Sequence, residues 1–120
     1  MKKQRMNNNK FNRYCLALDL KDDPSLIQEY ERLHKNVSAE IKKSILNSGI
    51  VNMQIYRTGN RLFMIIETDK TFSFEKKAAM DAENLYVQNW EKLMWKFQQP
   101  LPWAKSGEKW VIMDKIFSLE

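Results

Sequence analysis

The stretch IVNMQIYRTGNRLFMIIETD, residues 50–69, decides the fold because it predicts a β-hairpin. Apolar and polar side chains alternate through its first half, so that Val51, Met53 and Ile55 share one face of an extended chain. The turn-forming sequence TGNR follows, and the β-compatible run RLFMIIETD comes directly after it. We therefore expect a half-exposed strand and its antiparallel partner in the middle of the chain.

The chain before the hairpin predicts a strand followed by a helix. The run RYCLALDLK at residues 13–21 is apolar and β-compatible, which is typical of a buried strand. Asp23 and Pro24 favour a helix start, because aspartate caps free amides and proline needs no hydrogen-bond partner there. One amphipathic helix is expected from there to Gly49, with apolar residues at helical spacing: Leu26, Tyr30, Leu33, Val37, Ile41 and Ile45.

The chain after the hairpin predicts a second helical region and a closing strand. Ser73 is a candidate cap for a region rich in helix formers, residues 74–98, which Asn84 can interrupt. The segment QQPLPWAKSGEK, residues 98–109, contains two prolines and one glycine and is expected to be a loop. The run KWVIMDKIFSL at residues 109–119 predicts the last strand.

The resulting order, β-α-β-β-α-β, is the ferredoxin-like pattern of the α+β class. Its helices lie on one face of an antiparallel sheet, so the opposite face needs another cover. In a chain of 120 residues, a second copy of the same sheet is the simplest cover. We therefore expect a homodimer.

The net charge of +5 is concentrated at the N-terminus. Residues 1–13 include five basic side chains and no acidic one: Lys2, Lys3, Arg5, Lys10 and Arg13. The rest of the chain has 15 basic and 15 acidic side chains and is neutral. We expect a disordered basic arm over residues 1–12 and a single folded domain over residues 13–120, and we expect no binding of nucleic acid.

The sequence indicates neither a membrane anchor nor an oxidising compartment. No apolar segment approaches the length of a transmembrane helix, and Asp19 interrupts the apolar run that follows the basic N-terminus. Cys15 is the only cysteine, so an intrachain disulfide is impossible. A cytoplasmic protein without membrane contact is expected.

Candidate catalytic groups are few. The chain has one histidine, His34, and none of the CxxC, HExxH, GxSxG or GxxxxGK motifs, so neither a metal nor another cofactor is predicted. Tyr30 lies four residues before His34, on the same face of the predicted helix. The pair can serve acid–base chemistry, since imidazole exchanges protons near neutral pH. Alternatively, Tyr30 packs in the core and His34 has no catalytic role.

Five segments of the chain, in their order and spacing, resemble the L-rhamnose mutarotase family. They extend from about residue 13 to 119: RYCLALDLKDD, Tyr30-x-x-x-His34, IYRTGNRLFMIIE, NWEKLMWKFQQPLPWA and the final strand. The resemblance implies a dimeric ferredoxin-like α/β barrel that interconverts the α and β anomers of a 6-deoxy-L-hexose, L-fucose or L-rhamnose, without a cofactor. It also implies that His34 is the proton donor and that Tyr30 binds the sugar.

Three positions depart from the rhamnose-type members of that family. Met53 stands where those members have a tyrosine on the second strand, and Trp90-Glu91 stands where they have two tryptophans. Ser38-Ala39 replaces a Trp-Pro pair. Met53, Trp90 and Glu91 are therefore further candidates for sugar binding. Together with the fucose-like stretches IYRTGNRLFMIIE and QQPLPWA, the departures favour L-fucose over L-rhamnose.

Two other functions are compatible with the predicted fold. Dimeric ferredoxin-like barrels also include cofactor-free monooxygenases and lactone isomerases, whose sites accept flat apolar substrates. A non-catalytic nucleic-acid module would use the basic arm and an aromatic sheet face. The neutral body and the missing RRM-type aromatic signature count against that module.

Overall fold

The computed structural model describes residues 11–120, which form an antiparallel sheet covered by helices on one face. Its long strands are β1 (Asn12–Leu20), β2 (Ile50–Thr58) and β3 (Arg61–Thr68). Its helices are α1 (Pro24–His34), α2 (Ala39–Asn47), α3 (Phe74–Ala82) and α4 (Leu85–Trp95). Two short strands, β4 (Gln98–Gln99) and β5 (Val111–Ile112), complete one edge of the sheet.

The sheet has the strand order β2-β3-β1, and both β4 and β5 pair with the remaining edge of β1. Every pairing is antiparallel. The last strands of the chain thus return beside the first, as the ferredoxin-like pattern requires. The predicted α+β class and the β-α-β-β-α-β path are confirmed, although each helical segment consists of two helices.

The prediction of one helix over residues 24–49 is wrong, because the segment forms two helices. Asp23 caps α1 as predicted, and its carboxylate accepts hydrogen bonds from two first-turn amides at 2.9 and 3.2 Å. However, α1 ends at His34, and the hydroxyl of Ser38 accepts a hydrogen bond from the amide of Ile41 at 3.3 Å to start α2. A serine hydroxyl competes for free amides, so it favours a new helix start over continuation of the old helix.

The second helical region also divides, at the asparagine that the sequence indicated. Asn84 caps α4 by accepting a hydrogen bond from the amide of Val87 at 3.2 Å. Ser73 caps α3 as predicted, through the amide of Lys76 at 3.0 Å. The region ends before residue 98, since Gln98 already pairs with β1.

Gly49 lies where the chain leaves α2 and enters β2, as the sequence predicted. Its φ is +101°, and a Cβ atom there would lie 2.8 Å from both Oδ1 of Asp69 and Oγ1 of Thr71. The carbonyl of Gly49 accepts a hydrogen bond from the amide of Asp69 at 2.9 Å. Only glycine adopts this φ without strain and leaves room for the side chains of Asp69 and Thr71. Gly49 therefore allows the end of α2 to lie close to the end of β3.

The predicted hairpin is confirmed, with Gly59 at its turn in the left-handed conformation at φ +56°. Met53 pairs across the strands with Ile66, and both side chains face the helices. The prediction that Val51 shares this face is wrong. A bulge between Ile50 and Asn52 shifts the register, and Val51 is exposed.

The predicted last strand is wrong over most of its length. Only Val111–Ile112 pairs with β1, and the amide of Met113 adds one hydrogen bond to the carbonyl of Cys15 at 2.7 Å. Residues 114–120 are exposed, and their apolar members Ile116, Phe117 and Leu119 are 75–95% exposed. The edge of the sheet is therefore formed by two short strands, β4 and β5, instead of one long strand.

Two clusters of buried side chains fill the space between the sheet and the helices. The first consists of Leu20, Tyr30, Leu62, Met94 and Phe97, and the second of Leu16, Ile50 and Ile66. Trp110 packs against both clusters, whereas Trp95 is 39% exposed.

Strand β1 begins at Asn12, one residue before the expected start of the folded domain. Residues 1–10 of the proposed basic arm lie outside the described residues. Among residues 11–120, no helix combines the length and the apolar character needed to cross a membrane.

Candidate active site

The five candidate residues from the sequence all line one cavity, which we call the central cavity. It lies between the helices and the inner, helix-covered face of the sheet, and its volume is about 700 Å³. Helix α1 supplies Tyr30 and His34, strand β2 supplies Met53, and helix α4 supplies Trp90 and Glu91. A cavity of this size is within the range of sites that bind small molecules.

His34 is the last residue of α1, and the main chain of its own helix orients its ring. The Nδ1 atom lies 2.8 Å from the carbonyl oxygen of Tyr30. A carbonyl oxygen can only accept a hydrogen bond, so Nδ1 carries the proton of this contact. The other ring nitrogen, Nε2, is then the atom that can take up or release a proton during a reaction.

Two aromatic rings pack against the imidazole. The ring centroid of Tyr30 lies 4.4 Å from that of His34 at an interplanar angle of 40°. Trp90 meets the imidazole edge to face, with the centroids 5.4 Å apart and an angle of 69°. The spacing of four residues on α1 predicted the first contact correctly, whereas the second joins α1 to α4 and depends on the tertiary fold.

Tyr30 contributes a buried phenol to the same cavity. Its hydroxyl oxygen accepts a hydrogen bond from Nε2 of Gln98 at 3.0 Å. Burial raises the pKa of Tyr30 to about 12, so the phenol keeps its proton at neutral pH. Sequence reasoning missed Gln98, because it lies in a predicted loop and its partner is 68 residues earlier in the chain.

The inner face of the sheet forms an apolar part of the cavity, which we call the sheet wall. Its members are aliphatic or thioether side chains from β1, β2 and β3: Leu16, Met53, Ile55, Met64 and Ile66. The rings of Phe72 and Phe74 continue this apolar surface, with their centroids 5.0 Å apart. Such a wall suits a methyl group or the apolar face of a ligand ring.

Paired charges form another part of the cavity, which we call the polar border. Glu91 makes an ion pair with Lys109, whose ammonium group also lies 5.0 Å from the ring centroid of Trp95. Within α3, Lys77 pairs with Asp81 at 2.6 Å. Carboxylates accept hydrogen bonds and ammonium groups donate them, so this border suits the hydroxyl groups of a polar ligand.

Sequence reasoning found Glu91 but missed the other members of the polar border. The pair of Lys77 and Asp81 has a visible signal, since oppositely charged residues four apart are neighbours on a helix. Lys109 has no such signal, because it follows the proline-containing loop and meets α4 only in the folded chain. Within residues 11–120, no group of three or more His, Cys, Asp or Glu side chains is placed to hold a metal ion.

Trp103, in the loop between β4 and β5, lies outside the central cavity. Its side chain is 62% exposed, and the guanidinium of Arg61 lies 5.1 Å from its ring centroid. Arg61 pairs in turn with the buried carboxylate of Asp19 at 2.7 Å. Since Asp19 alternates with inner-face residues along β1, this group belongs to the outer face of the sheet.

The fold is of the ferredoxin-like α+β type, and its central cavity contains His34, the only histidine of the chain. A family model described as L-rhamnose mutarotase matches residues 13–119. The L-fucose mutarotase of Xanthomonas campestris pv. campestris is 42% identical over 109 residues, which cover 89% of this chain and 87% of that protein. The chain therefore belongs to the L-rhamnose mutarotase family.

Three solved structures are similar to this chain in fold. L-rhamnose mutarotase from Formosa agariphila has a TM-score of 0.67 at 19% identity and covers 91% of this chain and 99% of its own. Tetracenomycin F2 cyclase from Streptomyces glaucescens has a TM-score of 0.58 at 13% identity, with 91% and 97% covered. A dimeric ferredoxin-like protein from an uncultured marine organism has a TM-score of 0.50 at 16% identity, with 92% of each chain covered. These similarities confirm the ferredoxin-like fold.

Family membership confirms the prediction of a sugar mutarotase, which is a carbohydrate isomerase. The alternative of a cofactor-free monooxygenase or lactone isomerase is not favoured. The family match extends over residues 13–119, whereas the likeness to the polyketide cyclase is one of fold at 13% identity.

Proposed function

We propose that this chain interconverts the α and β anomers of L-fucose, with L-rhamnose as the second candidate substrate. The observation that carries the proposal is the Nε2 atom of His34, which makes no hydrogen bond within residues 11–120, in a cavity with both an apolar wall and a polar border. A 6-deoxy-L-hexose has matching chemistry, since it combines ring hydroxyl groups with a methyl group. The relative at 42% identity is an L-fucose mutarotase, which favours L-fucose.

The proposed mechanism needs one acid and one base but no covalent intermediate. Protonated His34 donates its Nε2 proton to the ring oxygen while a base takes the proton of the anomeric hydroxyl. The bond between C1 and the ring oxygen then breaks, and an open-chain aldehyde forms. Rotation about the C1–C2 bond presents the other face of the aldehyde. On ring closure at that face, the C5 hydroxyl returns its proton to His34, and the base returns its proton to the former aldehyde oxygen, which becomes the new anomeric hydroxyl.

The other candidate residues bind the sugar in this proposal. The neutral phenol of Tyr30 donates a hydrogen bond to a sugar hydroxyl, and Trp90 packs against the apolar face of the sugar ring. Met53, on the sheet wall, contacts the C6 methyl group. Glu91 accepts hydrogen bonds from ring hydroxyls, and its ion pair with Lys109 restricts the orientation of its carboxylate.

Proton-NMR exchange between the two anomers of L-fucose tests the catalytic role of His34. We expect His34→Ala to lower the catalysed rate on the order of 10²–10⁴-fold, because the acid–base group is removed. Lys43→Ala is the matched control, since Lys43 is an exposed residue on α2. A His34→Ala protein that keeps the wild-type rate would contradict the proposed mechanism. A panel of 6-deoxyhexoses and common aldoses in the same assay identifies the preferred sugar.

We also propose that the enzyme is a homodimer whose subunits meet through the outer face of the sheet. Side chains that alternate with the inner-face residues form an apolar band across four strands: Cys15, Ala17, Tyr56, Phe63, Ile65 and Val111. The exposed apolar side chains of residues 116–119 extend from the same edge and add surface for a partner. A similar solved structure is that of a dimeric ferredoxin-like protein.

Light scattering tests the proposed dimer. Phe63 lies in the middle of the apolar band, so Phe63→Glu places a charge in the interface and is expected to give monomers. Lys43→Glu on the exposed side of α2 is the control and is expected to remain dimeric. A monomeric wild-type protein contradicts the proposal.

Cys15 is a free thiol, which fits the reducing cytoplasm where we propose that the enzyme works.

A further inference from the structure

We infer that Gln98 is a positioning residue of the mutarotase site, whose amide NH₂ group fixes the Tyr30 hydroxyl as a hydrogen-bond donor towards the sugar. The inference rests on the proposed function and deepens it. It assigns a role to a residue outside the helix that carries Tyr30 and His34. It also explains why a polar side chain is buried at the edge of the core.

The location of Gln98 follows from strand pairing. Gln98 is the first residue of β4 and pairs with Leu20 of β1, so both side chains point to the inner face of the sheet. Gln98 is only 3% exposed, yet it borders the central cavity together with Tyr30. Its contact with Tyr30 joins the C-terminal edge of the sheet to α1 at the catalytic end of that helix.

The direction of this hydrogen bond determines what the phenol can do. Nε2 of Gln98 donates to the phenolic oxygen at 3.0 Å, so the bond occupies a lone pair and leaves the phenol's own proton unused. Within residues 11–120, the Tyr30 hydroxyl makes no other hydrogen bond. Gln98 therefore holds the oxygen in place while the proton remains available for a sugar hydroxyl in the cavity.

The carbonyl oxygen of the Gln98 amide indicates that a gain in stability does not explain a glutamine at this position. Its Oε1 atom is buried and has no hydrogen-bond partner in the described part of the chain. An unsatisfied buried acceptor costs about 1–3 kcal/mol, so an apolar side chain of similar size would suit the core better. A buried polar group that lowers stability calls for a functional explanation, and its contact with Tyr30 provides one.

Tyr30 connects this contact to the reacting group. Its ring packs against the imidazole of His34 at 4.4 Å, and its carbonyl accepts the hydrogen bond that orients Nδ1. An amide that restrains the phenol therefore acts on the sugar through the hydroxyl of Tyr30. Its effect should disappear when that hydroxyl is removed.

A double-mutant cycle of Gln98→Met and Tyr30→Phe tests the inference in the L-fucose exchange assay. Gln98→Met alone is expected to lower kcat/KM by roughly 3–10-fold, the effect of losing one hydrogen bond of about 0.5–1.5 kcal/mol. In the Tyr30→Phe background, the same substitution should have no further effect. Thermal unfolding should show that Gln98→Met is at least as stable as the wild type. Gln99→Met, on the neighbouring exposed position, is the control and should keep wild-type kcat/KM.

A second measurement is independent of catalysis. In protein with ¹³C-labelled tyrosine, the Cζ resonance of Tyr30, assigned by its loss in Tyr30→Phe, should shift in Gln98→Met but not in Gln99→Met. Losses that add fully in the double mutant, or an unchanged Cζ resonance, overturn the role of Gln98. An inactive wild-type protein overturns the proposed function and this role together, whereas an active wild type with additive losses overturns the role alone.

Discussion

The proposed catalytic end of the central cavity, formed by Tyr30, His34 and Trp90, and the sheet wall are built in different ways. At the catalytic end, His34 and Tyr30 are oriented by hydrogen bonds of 2.8 and 3.0 Å and by a ring contact to Trp90. The sheet wall, which includes Met53, is positioned by strand register and apolar packing alone. Proton transfer requires defined directions, whereas recognition of a methyl group requires only shape. We therefore expect substitutions at the proposed catalytic end to lower the catalysed rate. Substitutions in the sheet wall should instead change the substrate preference.

The largest expected change in stability concerns the buried phenol of the proposed catalytic end. Burial raises the pKa of Tyr30 from 10.0 to about 12. Below pH 10 the folded and unfolded states both keep the proton, so the contribution of Tyr30 to stability is complete. Between pH 10 and 12 the unfolded chain ionises first, so the free energy of unfolding falls by up to roughly 2–3 kcal/mol. Urea unfolding of the wild type across this range measures the loss.

Tyr30→Phe is the control for this pH dependence. It removes the titrating group, so its stability should fall less steeply than that of the wild type between pH 10 and 12. Parallel curves for the two proteins would show that Tyr30 ionises in the folded state as it does in the unfolded chain. The catalytic end would then be more open to solvent than its contacts indicate.

The second prediction compares one residue from each region. Trp90→Ala removes the ring that packs against His34, and we expect kcat/KM for L-fucose to fall on the order of 10–10²-fold through misplacement of the reacting groups. Met53→Leu conserves volume on the sheet wall and should change kcat/KM less than about threefold. Anomer exchange by NMR measures both. Equal losses in the two variants would remove the distinction between the regions.

The third prediction uses the sheet wall to change the sugar. Met53→Tyr introduces the tyrosine that the resemblance to rhamnose-type members implies at this position. We expect the ratio of kcat/KM for L-fucose to that for L-rhamnose to fall by about tenfold, which corresponds to about 1.4 kcal/mol, near the lower end of the roughly 1–3 kcal/mol that a pocket contact contributes. Both sugars are measured in the same exchange assay, with Met53→Leu as the control. A loss of activity on both sugars would assign Met53 to the catalytic end.

The smallest expected effect lies at the far end of α1 from His34. Asp23→Ala removes two hydrogen bonds to the first turn, and we expect it to lower the free energy of unfolding by about 1 kcal/mol. Asp22→Ala is the matched control, because Asp22 is an exposed neighbour that does not cap the helix. Urea unfolding measures both variants. A fall in kcat at unchanged stability would indicate that this cap also orients His34.

Local patterns predicted the parts of the fold that depend on neighbours in the chain. Alternation identified the hairpin, and the i, i+4 spacing placed Tyr30 beside His34. Helical periodicity continued through Ser38, and it therefore concealed the break after His34. The break depends on a side-chain hydrogen bond of Ser38 that competes with the helix, and periodicity does not record such competition.

The parts of the site that could not be predicted from the sequence depend on contacts between distant segments. Gln98 and Lys109 both lie in the segment predicted as a loop, yet one reaches Tyr30 and the other Glu91. The predicted last strand failed for a related reason. Its β-compatible run continues to residue 119, but the edge of β1 pairs with it only at Val111–Ile112. Propensity indicates which residues can form a strand, and an available partner determines which of them do.

The contact between Nδ1 of His34 and the carbonyl of Tyr30 has a consequence for how this family can diversify. The tautomer of the imidazole is set by a main-chain atom, which every amino acid at position 30 would supply. In the proposed mechanism, side chains of the sheet wall can therefore be replaced one at a time without changing which nitrogen of His34 exchanges protons. New sugar preferences can then evolve through substitutions in the sheet wall while His34 keeps its acid–base role, because different parts of the cavity determine the two properties.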